Sequence, residues 1–252
     1  MKNDPDTVIL ETERLILRPW EEADAEECFR YARDPCVGPA AGWPVHTDIE
    51  NSRQIIRDVL AVPETYAIVL KETGLPVGSI GLHRNDVAKN EDEAELGYWL
   101  GVPYWGRGLV PEAARELLRH AFEDLHLTRV WCRYFDGNEK SKRVQEKLGF
   151  RYQWTRKNTQ LPEMESSKTG IVNLMTKEDW SRRMNMEWVD GFEIRVRTEN
   201  GEVLISANRE GLLSLAGQLT SLADGIPGDH IHLDEHNSLE DGSAELIVEK
   251  VF

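Results

Sequence analysis

The segment that most narrows the folds open to this chain runs from Leu96 to Ala113. An apolar run, Leu96-Gly97-Tyr98-Trp99-Leu100-Gly101-Val102, reads as a buried strand. Tyr104-Trp105-Gly106-Arg107-Gly108 follows as a tight turn, and Leu109-Val110-Pro111-Glu112-Ala113 opens a helical pattern. Pro111 suits a first helical turn, where a missing N–H costs little. A strand, a glycine turn and a helix N-terminus in that order gather backbone N–H groups at one spot. The helix dipole adds partial positive charge there. Gly106 and Gly108 let the backbone approach a phosphate with no side chain in the way. The chain is therefore expected to hold a phosphorylated ligand on the backbone amides of Arg107, Gly108, Leu109 and Val110.

Two common phosphate loops do not fit. A nucleotide P-loop needs Lys followed by Ser or Thr after its glycines, and here Leu109-Val110 follows. A dinucleotide fingerprint needs a third glycine, which is absent. The surrounding motifs are more specific. Trp105-Gly106-Arg107-Gly108-x-x-x-Glu112-Ala113 resembles the acetyl-CoA pyrophosphate loop of the GCN5-related N-acetyltransferases (GNAT). It looks most like the branch that acetylates ribosomal-protein N-termini and related small amines. Thr12-Glu13-Arg14-Leu15-Ile16-Leu17-Arg18 resembles that branch's opening strand, and Glu95-Leu96-Gly97-Tyr98-Trp99 its central strand. Asn138-Glu139-Lys140-Ser141, with Lys147-Leu148-Gly149-Phe150, resembles its late helix. The resemblance covers residues 12 to 176. It departs at Pro103, where relatives often carry Gln or Arg, and at Gln145, where many relatives place a tyrosine general acid.

The resemblance implies a mixed, partly antiparallel α/β sheet whose central strand splays from its neighbour. Acetyl-CoA would lie in that slot as co-substrate, its pantetheine arm along the backbone of Leu100 to Val102 and near Asn138, with Trp105 in the cofactor loop. Acetyl transfer needs a base for the amine proton and a donor beside the leaving sulfur. Glu95 is the candidate base, because it starts an apolar stretch that can raise its pKa. Ser141 is the candidate partner of the thiolate, and His83 a second, weaker base. Trp43, in the loop Gly42-Trp43-Pro44-Val45-His46, sits where the family places an acceptor wall.

Strands are expected over Thr12–Arg18, Tyr66–Leu70, Val77–His83, Glu95–Val102, Arg129–Tyr134, Phe150–Arg156 and Thr169–Met175. Helices are expected over Glu21–Arg33, near residues 48 to 60, over Pro111–Leu125 and over Lys140–Leu148; Pro35–Val45 reads as a loop. Residues 8–183 form the expected acetyltransferase domain. Residues 186–252 read as a second, small α+β domain of ββαββ order, with Leu212, Leu215, Leu219 and Leu222 on one helix face. That tail faintly resembles small immunity-type domains of bacterial toxin systems. His230, His232, Asp234 and His236 share a strand face and suggest zinc. No cysteine joins them and a straight strand spaces them too widely to converge. They read as a half-exposed polar face, and no metal is expected.

The net charge of −15 disfavours nucleic acid and anionic membranes as partners and favours cationic amines. Residues 185 to 252 hold 14 acids and 4 bases, leaving 31 and 26 in the rest of the chain, so most of the acidity lies away from the glycine turn. No apolar run reaches the roughly 18 residues of a membrane span. Met1-Lys2-Asn3-Asp4-Pro5-Asp6 lacks an apolar leader, and three cysteines without a CxxC suit free thiols in a cytoplasmic protein. The expected activity is acetyl transfer from acetyl-CoA to a primary amine, either a protein N-terminus or a small cationic molecule, with a homo-oligomer possible. The competing reading is a catalytically weak CoA-binding protein whose acidic tail captures a basic partner.

Overall fold

The computed structural model describes residues 8 to 252, apart from 162, 163, 165, 185 to 187, 224, 226, 236 and 237. The chain divides after Lys177 into two compact units.

The first unit is built on one eight-stranded sheet. β1 (Leu10–Glu11), β2 (Leu15–Pro19), β3 (Thr65–Leu70), β4 (Leu75–His83) and β5 (Glu93–Leu100) follow one another in space as in sequence. β6 (Arg129–Phe135), β8 (Ser166–Thr176) and β7 (Arg151–Leu161) complete the order β1-β2-β3-β4-β5-β6-β8-β7. Every neighbouring pair is antiparallel except β5 and β6, which are parallel. A parallel pair needs a crossover, and α4 (Leu109–Arg119) with the wider π turn His120–Asp124 supplies it.

Helices cover both faces. α1 (Ala25–Ala32) and α3 (Ile49–Ile55) pack on the face carrying Ala67 and Val69, and their shared core includes Trp20, Cys28 and Ile56. α4 buries Leu109, Val110, Ala113, Ala114, Leu117 and Leu118. Pro35–Val45, expected as a loop, contains a single helical turn, α2 (Gly38–Ala41). Its proline stands at an early helical position and Gly42 closes it in the left-handed region at φ 96°. The two closing strands are longer than expected, each of 11 residues, because β7 and β8 pair to Leu161↔Ser166. α5 (Glu139–Leu148) follows β6, and α6 (Lys177–Met184) follows β8.

The second unit has its own core of Ile194, Val196, Leu222, Ile231, Leu233 and Leu239. β9 (Ile194–Glu199) and β10 (Glu202–Ala207) form a hairpin through Asn200 and Gly201, both at positive φ, as a twisted two-residue turn requires. α7 (Arg209–Ala223) leads to a second pair, β11 (His230–Leu233) and β12 (Leu246–Glu249). The order is ββαββ. The expected leucine face of α7 is corrected in part. The helix buries Gly211, Ser214, Gln218 and Leu222 and packs Leu215 against the core, while Leu212 is 55% exposed and Leu219 is 40% exposed. A side chain at 211 would come within 2.3 Å of the Glu193 carbonyl, so close approach at a glycine turns the helix by one residue from the leucine stripe.

The polar face of β11 is also corrected. His232 and Asp234 are buried rather than half-exposed. One polar atom from each of them and one from Glu245 lie within 4.8 Å of one another. His230 is not in that group, and His236 lies outside the described residues.

Candidate active site

The site begins where two strands part. β5 pairs with β4 from His83↔Glu95 to Gly78↔Leu100, but with β6 only from Glu93↔Arg129 to Leu96↔Cys132. Beyond Leu96 the β6-facing edge of β5 has no strand partner among the described residues. Its backbone polar groups need one, and an extended ligand can supply it. The Leu100 carbonyl on this stretch accepts from the Trp105 indole at 2.8 Å. Val102 begins a short 3-10 turn that ends at Tyr104.

The glycine turn closes the end of the slot. Gly106 and Gly108 stand at φ 75° and 72°, in the left-handed region that favours glycine. A Cβ built on Gly106 meets nothing within 4 Å, so the turn faces open space. Gly108 immediately precedes α4, whose first N–H groups have no partner within the helix. This arrangement fits a pyrophosphate. Glu112 lies in the first helical turn, but its carboxylate is turned back into the protein. It accepts from Thr12 Oγ1 at 2.5 Å, Arg14 N at 2.9 Å and Arg14 Nε at 2.6 Å. Burial alone would raise the Glu112 carboxyl; these donors outweigh it and hold the group below its ordinary pKa. Arg14 Nη1 also donates to the Arg107 carbonyl at 3.0 Å, so the opening strand motif braces the turn. The Arg107 guanidinium stacks on Tyr104, and the Lys140 ammonium lies 3.9 Å from the Trp105 ring centroid.

Side chains on a strand alternate between faces, so β5 serves the slot from two sides. One face carries Glu95, only 7% exposed. Its carboxylate accepts from Asn85 Nδ2 at 2.5 Å and lies 3.3 Å from Arg133 Nε. Burial raises the Glu95 pKa, and the Arg133 charge and the Asn85 hydrogen bond oppose that rise without cancelling it. His83, paired with Glu95 across the strands, lays its ring over Gly81 and Gly97. A Cβ on Gly97 would sit 3.3 Å from the imidazole Cδ2, so the glycine leaves room for that ring. Burial lowers the His83 pKa, which keeps the ring neutral at pH 7. Trp99, further along the face, stacks on Trp20 and meets Trp43 edge-on at 5.8 Å. Trp43 is thereby partly buried against the helical core on the same face.

The opposite face carries Tyr98. Its hydroxyl lies 2.8 Å from Ser141 Oγ, and Gln145 Nε2 donates to the same oxygen at 3.3 Å. Burial pushes the Tyr98 phenol well above its ordinary pKa. Asn138 caps α5 by accepting from Ser141 N at 3.1 Å, and its amide N–H donates to the Ala40 carbonyl at 3.3 Å. Asn138 therefore positions Ser141 and is itself engaged within the protein at both ends.

Sequence reasoning did not single out Asn85, Arg133 or Tyr98. Tyr98 carried a readable signal, since it stands three residues after Glu95 on a strand and so must face the other way. Arg133 and Asn85 carried none, because only the sheet brings residues 38 and 10 positions away to one carboxylate.

Comparison with known proteins accords with this geometry. Residues 14–151 match the family described as acetyltransferase (GNAT) domain. The chain is 32% identical over 146 residues to the uncharacterized N-acetyltransferase p20 of Bacillus licheniformis, a match covering 56% of this chain and 81% of that one. It is 31% identical over 147 residues to the uncharacterized N-acetyltransferase YoaA of Bacillus subtilis strain 168, covering 56% of this chain and 82% of the relative. An acetyltransferase structure from Agrobacterium tumefaciens str. C58 superposes with a TM-score of 0.52 at 28% identity, over 69% of this chain and 98% of the other. A GNAT-family acetyltransferase from Bacillus anthracis shares the fold, with a TM-score of 0.61 at 23% identity over 68% and 99%. Residues 202–251 match the family described as immunity protein 32. Among the described residues no helix is long and apolar enough to cross a membrane. The family match over more than half of the chain, on a fold whose central strand splays beside a glycine turn, establishes that this chain belongs to the GCN5-related N-acetyltransferase family and is an acyltransferase.

Proposed function

We propose that the chain moves an acetyl group from acetyl-CoA to a primary amine by direct transfer. The observation that carries this reading is the end of β5–β6 pairing at Leu96, with the buried Glu95 carboxylate on one face of β5 and the Ser141–Tyr98 hydroxyl pair on the other. The pyrophosphate of acetyl-CoA lies on the amides from Arg107 to Val110, and the pantetheine arm follows the β6-facing edge of β5. The amine approaches from the Glu95 face. Its nitrogen lone pair attacks the thioester carbonyl carbon, the new C–N bond forms and the C–S bond breaks. The nitrogen proton passes to the Glu95 carboxylate, directly or through one water, and from there to solvent. Sulfur departs as thiolate towards Ser141 and Tyr98 and takes a proton from solvent, so one proton moves from nitrogen to sulfur overall. A thiol of ordinary pKa near 8.5 is more acidic than a phenol near 10. Tyr98, raised further by burial, therefore steadies the thiolate by hydrogen bonding with Ser141 and keeps its own proton.

Incubation with acetyl-CoA and a panel of amines, read as released thiol, tests the activity. Turnover with at least one primary amine is expected, and none with tertiary amines. Glu95→Gln is expected to lower kcat by about 10²–10⁴-fold while calorimetry still shows acetyl-CoA binding. Unchanged kcat in that variant would remove Glu95 from the proton path.

A further inference from the structure

The acceptor side carries a charge pattern opposite to that of the whole chain. A cavity of about 410 Å³ is lined by Asp86, Arg133, Phe135, Arg156 and Lys157, among others, and Arg133 links it to Glu95. Three of those side chains are cations and one is a carboxylate, in a chain whose net charge is −15. So local placement, not overall composition, concentrates positive charge there.

Two features show how the cations are brought together. Arg133 has one side against Glu95, with Nε 3.3 Å from Oε1, and the other towards Asp86, with Nη1 3.7 Å from Oδ1. Arg156 also pairs with Asp86, so two arginines from different strands converge on one carboxylate. A bulge follows Arg156 directly. Pairing jumps from Arg156↔Gly170 to Thr159↔Lys168, leaving two β7 residues opposite one on β8, and Asn158 takes φ 55°. Such bulges re-aim side chains and recur beside active sites. Asp86 comes from the surface connection between β4 and β5, and its side chain is half exposed. It marks a place where a carboxylate is held, on a residue that an incoming carboxylate can displace.

From this the geometry points to an acidic acceptor: a primary amine at Glu95 whose own carboxylate, one guanidinium width away, is taken by Arg133, Arg156 and Lys157. The inference rests on the acetyl-transfer reading and deepens it. The required spacing of amine and carboxylate is roughly 5–7 Å, a span of a few bonds. A free dicarboxylic amino acid meets it, as does a peptide N-terminus followed by Asp or Glu. Bidentate arginine–carboxylate pairing supplies the discrimination.

Matched acceptors test this on the full chain. Free glutamate is compared with glutamine, and the dipeptide amide Ala-Asp with Ala-Asn. The acidic member of at least one pair is expected to show a kcat/KM about tenfold or more above its neutral partner. The pair that shows it tells a free amino acid from a peptide. In Arg156→Gln/Lys157→Gln that ratio is expected to collapse towards one, and in Arg156→Glu to invert. Thermal melting checks that the variants fold. Equal rates within both pairs, or faster rates with the neutral members, would overturn the inference while leaving acetyl transfer standing. Calorimetric titration of the same compounds in the presence of CoA reads the cavity without turnover. If nothing is acetylated yet the acidic member alone binds, the acetyl-transfer reading falls and the cationic cavity stands. If neither member of either pair binds or reacts preferentially, the cavity assignment falls.

Discussion

Glu95 owes its proposed role to three influences that act against one another. Burial is the largest influence and raises its pKa; Arg133 and Asn85 pull it back. A general base works only when deprotonated, so the sign of the pH effect follows. Above the raised pKa Glu95 accepts a proton, and activity is lost as pH falls through it. The acidic limb of the kcat profile is expected at higher pH than an ordinary glutamate would give, and to vanish in Glu95→Gln. Arg133→Gln removes the opposing charge, so it should move the limb upward again, read as kcat against pH with a saturating acceptor. A downward move would mean that Arg133 does not act on Glu95 through its charge. That Glu95 sits in an apolar strand was legible in the sequence. That a guanidinium would share its pocket was not, because the pairing depends on β6 lying parallel to β5.

At the level of elements, the glycine turn and helix are held from outside. Thr12 and Arg14 lie about 100 residues before Glu112 in the chain, yet their donors fill its carboxylate. Glu112→Gln keeps the shape but removes the charge that Arg14 faces. It is expected to cost about 1–3 kcal/mol of stability by denaturant unfolding. It should also raise the KM for acetyl-CoA several-fold, since Arg14 holds the Arg107 carbonyl of the turn. An unaltered KM with the stability loss present would limit the brace to a structural role. Both motifs were readable as strings, and neither string named the other as its partner. α7 gives the reverse lesson. Its leucines promised one buried face, yet only Leu215 and Leu222 pack on the core, because close approach of Gly211 to the Glu193 carbonyl turns Leu212 and Leu219 outward.

At the scale of the molecule, the two units carry different sequence signals and different cores. The Agrobacterium structure is covered over 98% of its length by 69% of this chain, so that fold stands there without a counterpart of the remainder. A chain ending at Met184 is therefore expected to fold and to keep thiol-release turnover within about threefold of the full chain. Circular dichroism and the same acetyl-CoA assay check this, and loss of turnover in a folded product would assign the second unit a part in the reaction. The sequence by itself determined the donor end of the site. The residues from Leu96 to Ala113 are contiguous, and a strand, two glycines and a helix start set the local backbone of the proposed phosphate cradle, which Thr12 and Arg14 then brace. Only the tertiary structure brings together the residues of the proposed acceptor end. Glu95, Arg133 and Arg156 come from three strands of one sheet and Asp86 from the β4–β5 connection, and their meeting depends on strand order and on a parallel pair that opens after Leu96. Net charge pointed towards a cationic acceptor because composition averages over the whole surface. A cavity is governed by the few charges that face it, since charges more than about 10 Å away are largely screened in salt.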